Sequence, residues 1–167
     1  MKKYLVIGNP IDHSLSPKLH NFWLKQNNIN AIYNKKKLNS DEIKNLILEI
    51  RKNKISGINV TVPFKNKIIP FLYELSLGAK QTQSVNTIFM RDNKVIGDNT
   101  DIGGFESAIK ILEFDLSNKT AFVLGAGGVV PSIIYALVKM GVSKILISNR
   151  TESKAENIKK LFNNLQI

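Results

Sequence analysis

Residues 120–128 read Thr-Ala-Phe-Val-Leu-Gly-Ala-Gly-Gly, a short apolar run closed by a glycine-rich turn. Five residues of that kind fit a buried strand, and the glycines that follow suit a tight turn far better than a helix interior. Residues 129–140 then carry apolar side chains at helical spacing, 144–148 make a second strand and 152–165 a second helix. Strand, helix, strand, helix with short connections is the pattern of a doubly wound parallel sheet. The chain is thus expected to be an α/β protein.

The preceding residues also alternate. Residues 4–7 read as an apolar strand, and Ser16-Pro17 opens a helix with Leu19, Phe22, Trp23 and Leu24 on its buried side. Ser40 is expected to cap another helix, whose Ile43, Leu46, Ile47 and Ile50 form an i, i+3, i+4, i+7 stripe suited to packing on a sheet. Residues 57–62 make a strand ended by Pro63, and 65–77 two short helical pieces broken at Pro70. A hairpin over 85–91 and 94–97 turns at Asp92-Asn93. A helix over 102–112 leads out of this first unit, with 115–119 as linker.

Composition narrows the function classes. At 167 residues the chain is one ordinary domain or a small domain plus part of another. With no cysteine, disulfides and thiolate metal sites are excluded; no metal is expected and a reducing cytoplasm is the default. Met1-Lys2-Lys3 runs into only five residues, Tyr4-Leu5-Val6-Ile7-Gly8, too short for a signal peptide or membrane span, so a soluble, unprocessed protein without a membrane partner is expected. The net charge of +11 invites a nucleic-acid reading. Against it, the only arginines are Arg51, Arg91 and Arg150, and the lysines are scattered along helical faces without interleaved aromatics. Solvated faces with a general attraction for anionic ligands fit better, and no nucleic-acid partner is expected.

The glycine turn, Gly125-Ala126-Gly127-Gly128 with Val129 after it, is the candidate cofactor site. Gly125 allows the tight turn, Gly127 lets the backbone approach a pyrophosphate without a Cβ in the way, and the helix N-terminus offers N–H groups to anionic oxygens. A plain strand-to-helix turn is the alternative. Position 130 is Val where the dinucleotide fingerprint prefers Gly or Ala, and Pro131 is tolerable only in a first helical turn. Sites for NAD carry Asp or Glu about 20 residues further on. Here stand Asn149, Arg150 and Thr151, then Lys154. Two cations suit a 2′-phosphate, the Arg fork especially; a surface arginine with Thr151 as an ordinary N-cap is the other reading. Arg150 being one of so few arginines, NADP(H) is preferred.

In the first unit, Ser14 and Ser16 place two hydroxyls at a helix entrance, where they could hold a carboxylate. Ser16 also suits an N-cap before Pro17, whereas Ser14 has no such structural reason. Thr61 lies in a strand with Val60 and Val62 pointing to the opposite face, so its hydroxyl is either solvated or a ligand contact. Asn86, between Val85 and Thr87 in another strand, is disfavoured there, which suggests a purpose. Lys65 and Lys67 are individually ordinary in so basic a chain.

Taken in order, His13-Ser14-Leu15-Ser16-Pro17, Asn59-Val60-Thr61-Val62-Pro63-Phe64-Lys65, Ser84-Val85-Asn86-Thr87-Ile88, Asn99-Thr100-Asp101, the glycine turn and Asn149-Arg150-Thr151 resemble the shikimate dehydrogenase family over the whole chain. That resemblance implies an N-terminal α/β substrate-binding domain with a mixed sheet over 1–101, a linker helix over 102–118 and, over 119–167, the first part of a Rossmann-like NADP-binding domain. It implies that Ser14 and Ser16 hold the substrate carboxylate, that Thr61, Lys65, Asn86 and Asp101 bind the rest of shikimate, and that Lys65 and Asp101 are the catalytic pair. The implied reaction is reversible hydride transfer between NADPH and 3-dehydroshikimate, with monomer and homodimer both left open. A quinate-oxidising paralogue and a non-catalytic small-molecule-binding module are the alternatives.

The sequence departs from the family pattern in places. Leu77 stands where many members carry an acidic residue, so no cofactor role passes to it, and Val129-Val130-Pro131 replaces the more usual Ala-Ala-Arg. Members also draw a substrate-binding glutamine from a region beyond residue 167. The chain is expected to be a complete substrate domain joined to about half a cofactor domain, exposing a sheet edge and an apolar face. It should bind shikimate weakly and turn it over poorly or not at all.

Overall fold

Six strands form one mixed sheet: β1 (Lys2–Gly8), β2 (Ala31–Lys37), β3 (Gly57–Val60), β4 (Glu74–Leu75), β5 (Thr87–Arg91) and β6 (Lys94–Asp98), in the order β2-β1-β3-β5-β6-β4. The computed structural model describes residues 1–162. β1 runs parallel to both β2 and β3, β5 is antiparallel to β3 and β6, and β4 is parallel to β6. A first compact unit comprises Met1–Ser76 and Val85–Asp98. The second takes Leu77–Ser84 and the chain from Asn99 onward, so the helix α3 (Leu77–Thr82) belongs with later residues.

Helix α1 (Ser16–Gln26) joins β1 to β2, and α2 (Ile43–Arg51) joins β2 to β3. β2 lies on one side of β1 and β3 on the other, so the direction of winding reverses at β1. Such a reversal leaves a crevice at the carboxyl ends of the adjacent strands, the usual ligand position in open α/β sheets. The expected stripe on α2 is fully buried: Ile43, Leu46, Ile47 and Ile50 are each at most 3% exposed.

Several local expectations need correction. Leu19, Phe22 and Trp23 of α1 are about half exposed, and only Leu24 packs against the Val6, Ile11 and Tyr33 cluster. The helix meets the sheet through a different stripe, His20, Asn21 and Leu24, because Asn21 and His20 both engage Tyr33 of β2. β2 itself has no counterpart among the expected strands: its Asn-Lys-Lys-Lys half hides the strand signal, and only an edge strand tolerates it. Asn39 rather than Ser40 holds the cap position, and what it caps is a 3-10 turn, Ser40–Glu42, that precedes α2; the Asn39 backbone N–H donates to the Glu42 carboxylate at 2.8 Å.

The strand expected over 57–62 stops at Val60. The chain turns at Thr61, whose carbonyl accepts the Phe64 N–H at 2.9 Å, so Val60 is buried while Val62 is 58% exposed. In place of two helical pieces over 65–77 there is one 3-10 turn, Ile69–Phe71, with Pro70 inside it, and then β4. The hairpin turns as expected, Asp92 (φ 49°) and Asn93 (φ 60°) supplying the paired positive φ values of a two-residue loop.

In the second unit α4 (Asp101–Ile111) precedes β7 (Thr120–Leu124), α5 (Val130–Lys139), β8 (Lys144–Ser148) and α6 (Glu152–Leu161), with β7 and β8 parallel. Val130, Ile134, Leu137, Ile145, Ile158 and Phe162 make its core. Residues 163–165 of the expected last helix lie outside the described residues. On the other face of the two strands Phe122, Leu124 and Leu146 remain exposed. No helix among the described residues is long and apolar enough to cross a membrane.

Candidate functional site

The candidate residues of the first unit gather at the carboxyl ends of β1 and β3. β1 ends at Gly8, whose missing side chain is a steric requirement: a Cβ there would lie 2.7 Å from Thr61 Cγ2, 3.0 Å from Ile11 Cδ1 and 3.1 Å from the Val62 carbonyl oxygen. The close approach draws Thr61 and the turn after β1 together. The same turn carries Ser14, whose N–H donates to the Ile11 carbonyl at 3.0 Å. Ser14 Oγ accepts the Ser16 N–H at 3.3 Å, so Ser14 does have a local structural role. Ser16 is the first helical residue rather than the N-cap, a position held by Leu15 with no side-chain cap bond. A hydroxyl has three hydrogen-bonding positions, and the Ser14 turn occupies one.

Asn86 sits just before β5 rather than inside it and is 9% exposed. Its N–H donates to the Asp98 carbonyl at 3.0 Å and its carbonyl accepts the Val60 N–H at 2.8 Å, so neighbours on both sides fix its backbone. The Thr87 hydroxyl donates to Asn86 Oδ1 at 2.9 Å. Lys65 follows the turn that Thr61 begins, and its carbonyl accepts the Val85 N–H at 2.8 Å, tying the lysine segment to the strand entry that holds Asn86. Thr61, Lys65 and Asn86 are therefore held together beyond the carboxyl end of β3.

Sequence reasoning gives Asn59 no role of its own. Its Oδ1 accepts the Tyr33 hydroxyl proton at 2.7 Å, and its Nδ2 donates to the Asn86 carbonyl at 3.3 Å and to Thr87 Oγ1 at 3.2 Å. The signal was present: an asparagine inside a β-branched strand is as disfavoured at 59 as at 86. Burial pushes the Tyr33 phenol up to about 12, so it keeps the proton it donates.

In the second unit Asp101 begins α4, a favourable place for a carboxylate against the positive end of the helix. Its N–H donates to Asn99 Oδ1 at 3.2 Å. Asn99, 5% exposed, directs Nδ2 at Thr82 Oγ1 (2.9 Å), the Ser84 carbonyl (3.0 Å) and Ser132 Oγ (2.8 Å), fastening α3, the start of α4 and α5 to one another. Asn99 is a second residue whose structural work its sequence context does not reveal.

The glycine turn joins β7 to α5. Gly125 has φ +108°, a conformation side-chain-bearing residues rarely adopt, and its N–H donates to the Ser148 carbonyl at 2.7 Å. A Cβ added at Gly127 or Gly128 would meet nothing within 4 Å. Packing thus does not explain those two glycines, and an incoming group has room at the backbone. Val130 enters the core, and Pro131 occupies the first turn of α5. Past β8, Asn149 Nδ2 donates to the Thr151 carbonyl at 2.7 Å, Thr151 holds the N-cap position of α6 without a side-chain cap bond, and Arg150 and Lys154 are exposed. Open glycines beside a helix N-terminus, with two exposed cations past the next strand, make a donor set suited to a pyrophosphate and a further phosphate. Among the described residues no group of three or more acidic, histidine or cysteine side chains could hold a metal ion.

The sequence matches a family model described as the shikimate dehydrogenase substrate binding domain over residues 6–88, and one described as shikimate / quinate 5-dehydrogenase over residues 106–167. This chain belongs to the shikimate dehydrogenase family. It is 60% identical over 166 residues to a shikimate dehydrogenase (NADP(+)) of Pelagibacter ubique, a match covering 99% of this chain and 63% of that protein. Among solved shikimate dehydrogenases, that of Aquifex aeolicus superposes with a TM-score of 0.90 at 40% identity, covering 98% of this chain and 61% of the other. The Thermus thermophilus enzyme, solved in complex with NADP(H) and shikimate, gives 0.88 at 30% identity, covering 99% and 62%. The chain therefore spans less than two thirds of the length of these shikimate dehydrogenases.

Proposed function

We propose that this chain supplies the shikimate-binding residues and the phosphate-gripping part of an NADP-dependent dehydrogenase that interconverts 3-dehydroshikimate and shikimate. The observation that carries the reading is the hydrogen-bonded pair Asn59 and Asn86, held at the same end of the sheet as Thr61 and Lys65, in a chain 30% identical to an enzyme solved with both shikimate and NADP(H). Thr61 and Asn86 bind ring hydroxyls, and the Ser14 and Ser16 hydroxyls take the carboxylate. Gly125, Ala126, Gly127, Gly128 and Val129 cradle the pyrophosphate, while Asn149, Arg150, Thr151 and Lys154 surround the 2′-phosphate. Arg150 favours NADP over NAD because its fork matches phosphate geometry.

NADP(H), which the glycine turn and Arg150 would hold, would supply the hydride for reduction of the ketone and accept it in the reverse direction. The Lys65 ammonium donates a proton to the developing alkoxide as the ketone is reduced, and the neutral amine removes the hydroxyl proton in the oxidation. The Asp101 carboxylate orients the lysine and the reacting hydroxyl, and does not itself transfer a proton. The setting is the cytoplasm and the role is a step of aromatic amino-acid biosynthesis. The discriminating assay is oxidation of shikimate with NADP+ or NAD+, with quinate as competitor, in a form extended to the length of the related enzymes, as wild type, Lys65→Ala and Arg150→Ala. Lys65→Ala should lower turnover about 10²–10⁴-fold and weaken shikimate binding as well, and Arg150→Ala should weaken NADP+ alone. Unchanged turnover in Lys65→Ala would end the catalytic assignment, and quinate oxidised as readily as shikimate would favour the broader-specificity reading.

A further inference from the structure

Tyr33 lies on the outer strand β2 and belongs to none of the motifs that point to shikimate chemistry, yet every hydrogen-bonding group it has is committed to residues that bear on them. Its backbone makes a two-way clip with one side chain of α1: Asn21 Nδ2 donates to the Tyr33 carbonyl at 2.7 Å, and the Tyr33 N–H donates to Asn21 Oδ1 at 2.9 Å. Its ring stacks on His20, centroids 4.1 Å apart and planes 4° from parallel. Its hydroxyl donates to Asn59 Oδ1 at 2.7 Å.

The hydrogen bonds run in one direction. Because Asn59 Oδ1 receives the phenol proton, the Asn59 amide is turned so that Nδ2 faces the Asn86 carbonyl and Thr87 Oγ1. Thr87 Oγ1, accepting from that amide, donates its own proton to Asn86 Oδ1. The orientation of the Asn86 amide, with oxygen toward Thr87 and nitrogen as the donor, is thus set from Tyr33 through two intermediate side chains. Chains of this kind strengthen one another in a low-dielectric interior. On the other side, α1 opens at Ser16, whose N–H is held by Ser14, and the clip at Asn21 fixes that helix against β2.

We propose that Tyr33 is a positioning residue for substrate, presetting the Asn86 amide through Asn59 and Thr87 and seating the Ser14–Ser16 turn through α1. The assignment rests on the reading of the carboxyl ends of β1 and β3 as the shikimate site. A side chain that must present one donor to one hydroxyl needs its amide orientation fixed in advance, and packing alone does not distinguish the two ends of an amide.

The test uses nitrogen-labelled protein and shikimate titrations followed by NMR, which reads millimolar as well as tighter binding. Tyr33→Phe keeps the ring and its stack on His20 and removes only the hydroxyl. It should move the side-chain amide signals of both Asn59 and Asn86 and raise the shikimate Kd roughly three- to tenfold, the range expected for one hydrogen bond. Asn86→Ala should weaken binding at least as much, and Tyr33→Phe added to it should cause no further loss, because Tyr33 acts through Asn86. Thr87→Val, which cuts the last link, should reproduce the effect and serves if Tyr33→Phe does not fold.

Multiplying losses in the double variant, or unshifted Asn86 amide signals in Tyr33→Phe, would overturn the relay. If Asn86→Ala weakens shikimate binding and neither Tyr33→Phe nor Thr87→Val does, the relay fails while the substrate reading stands. If wild type does not bind shikimate, or Asn86→Ala binds it as wild type does, the substrate reading fails and the role given to Tyr33 falls with it.

Discussion

The two ends of the candidate machinery are built by opposite means. At the carboxyl ends of β1 and β3, side chains are fixed by other side chains: Tyr33, Asn59, Thr87 and Asn86 form a continuous hydrogen-bonded series, and Gly8 brings Thr61 close by having no side chain. Around the glycine turn the chain contributes backbone shape and little else; Gly127 and Gly128 border open space, and Arg150 and Lys154 are exposed. The difference follows from the ligands proposed for each. A small ring with several hydroxyls is read by donors and acceptors whose directions must be fixed beforehand. Phosphates accept hydrogen bonds from many directions and reward charge, so N–H groups and flexible cations suffice.

Substitutions in the two regions should therefore differ in kind. The largest effect belongs to Asn99, the buried amide that holds the residues leading into Asp101. Asn99→Leu strands the Ser132 hydroxyl and the Ser84 carbonyl and takes one of two partners from the Thr82 hydroxyl, which still donates to the Gly78 carbonyl, and should lower stability by roughly 3 kcal/mol or more, read from urea unfolding. Gly8→Ala comes next, overpacking Thr61, Ile11 and the Val62 carbonyl at a cost of about 1–3 kcal/mol, with shikimate affinity falling as well because Thr61 is displaced. Loss of stability without loss of affinity would show that Thr61 is not part of the preset site. Arg150→Ala should do the reverse: stability within about 0.5 kcal/mol of wild type, NADP+ affinity lower by about tenfold, and NAD+ affinity unchanged, all measurable by calorimetry.

The smallest effect concerns His20. Burial holds its imidazole below the ordinary 6.5, so the folded chain favours the neutral ring. On acidification the unfolded chain takes up the proton first. Stability should fall as pH drops from above 6.5 down through the lowered folded value and level off below it. His20→Gln should flatten that dependence in urea midpoints compared between neutral and mildly acidic pH. An unaltered slope would mean that other groups carry it.

Much of this architecture was legible from pattern. The α2 stripe, the hairpin at Asp92-Asn93 and the strand-turn-helix around Gly125 each depend on local spacing or on a positive φ that few residues tolerate. What escaped depends on contacts between distant segments. Leu19 and Phe22 have the spacing of a buried stripe, but α1 is turned by the Asn21 clip and the His20 stack, neither visible without knowing that β2 lies alongside. β2 was obscured because lysines at an edge read as loop. Asn59 and Asn99 went without roles for the same reason: the partners of the Asn59 side chain and of the Asn99 Nδ2 lie from 15 to 33 positions away in sequence, and no local rule reaches them.

The lysines of β2 also bear on how this protein behaves in a crowd. An outer strand with open backbone groups is a template on which another chain's strand can add, and sheets that grow in this way end as aggregates. Here Lys35, Lys36 and Lys37 occupy the end of that strand, so an approaching edge of the same kind meets like charge before it meets a hydrogen bond. A surplus of +11, read at first glance as an appetite for polyanions, serves in this place as a barrier between copies.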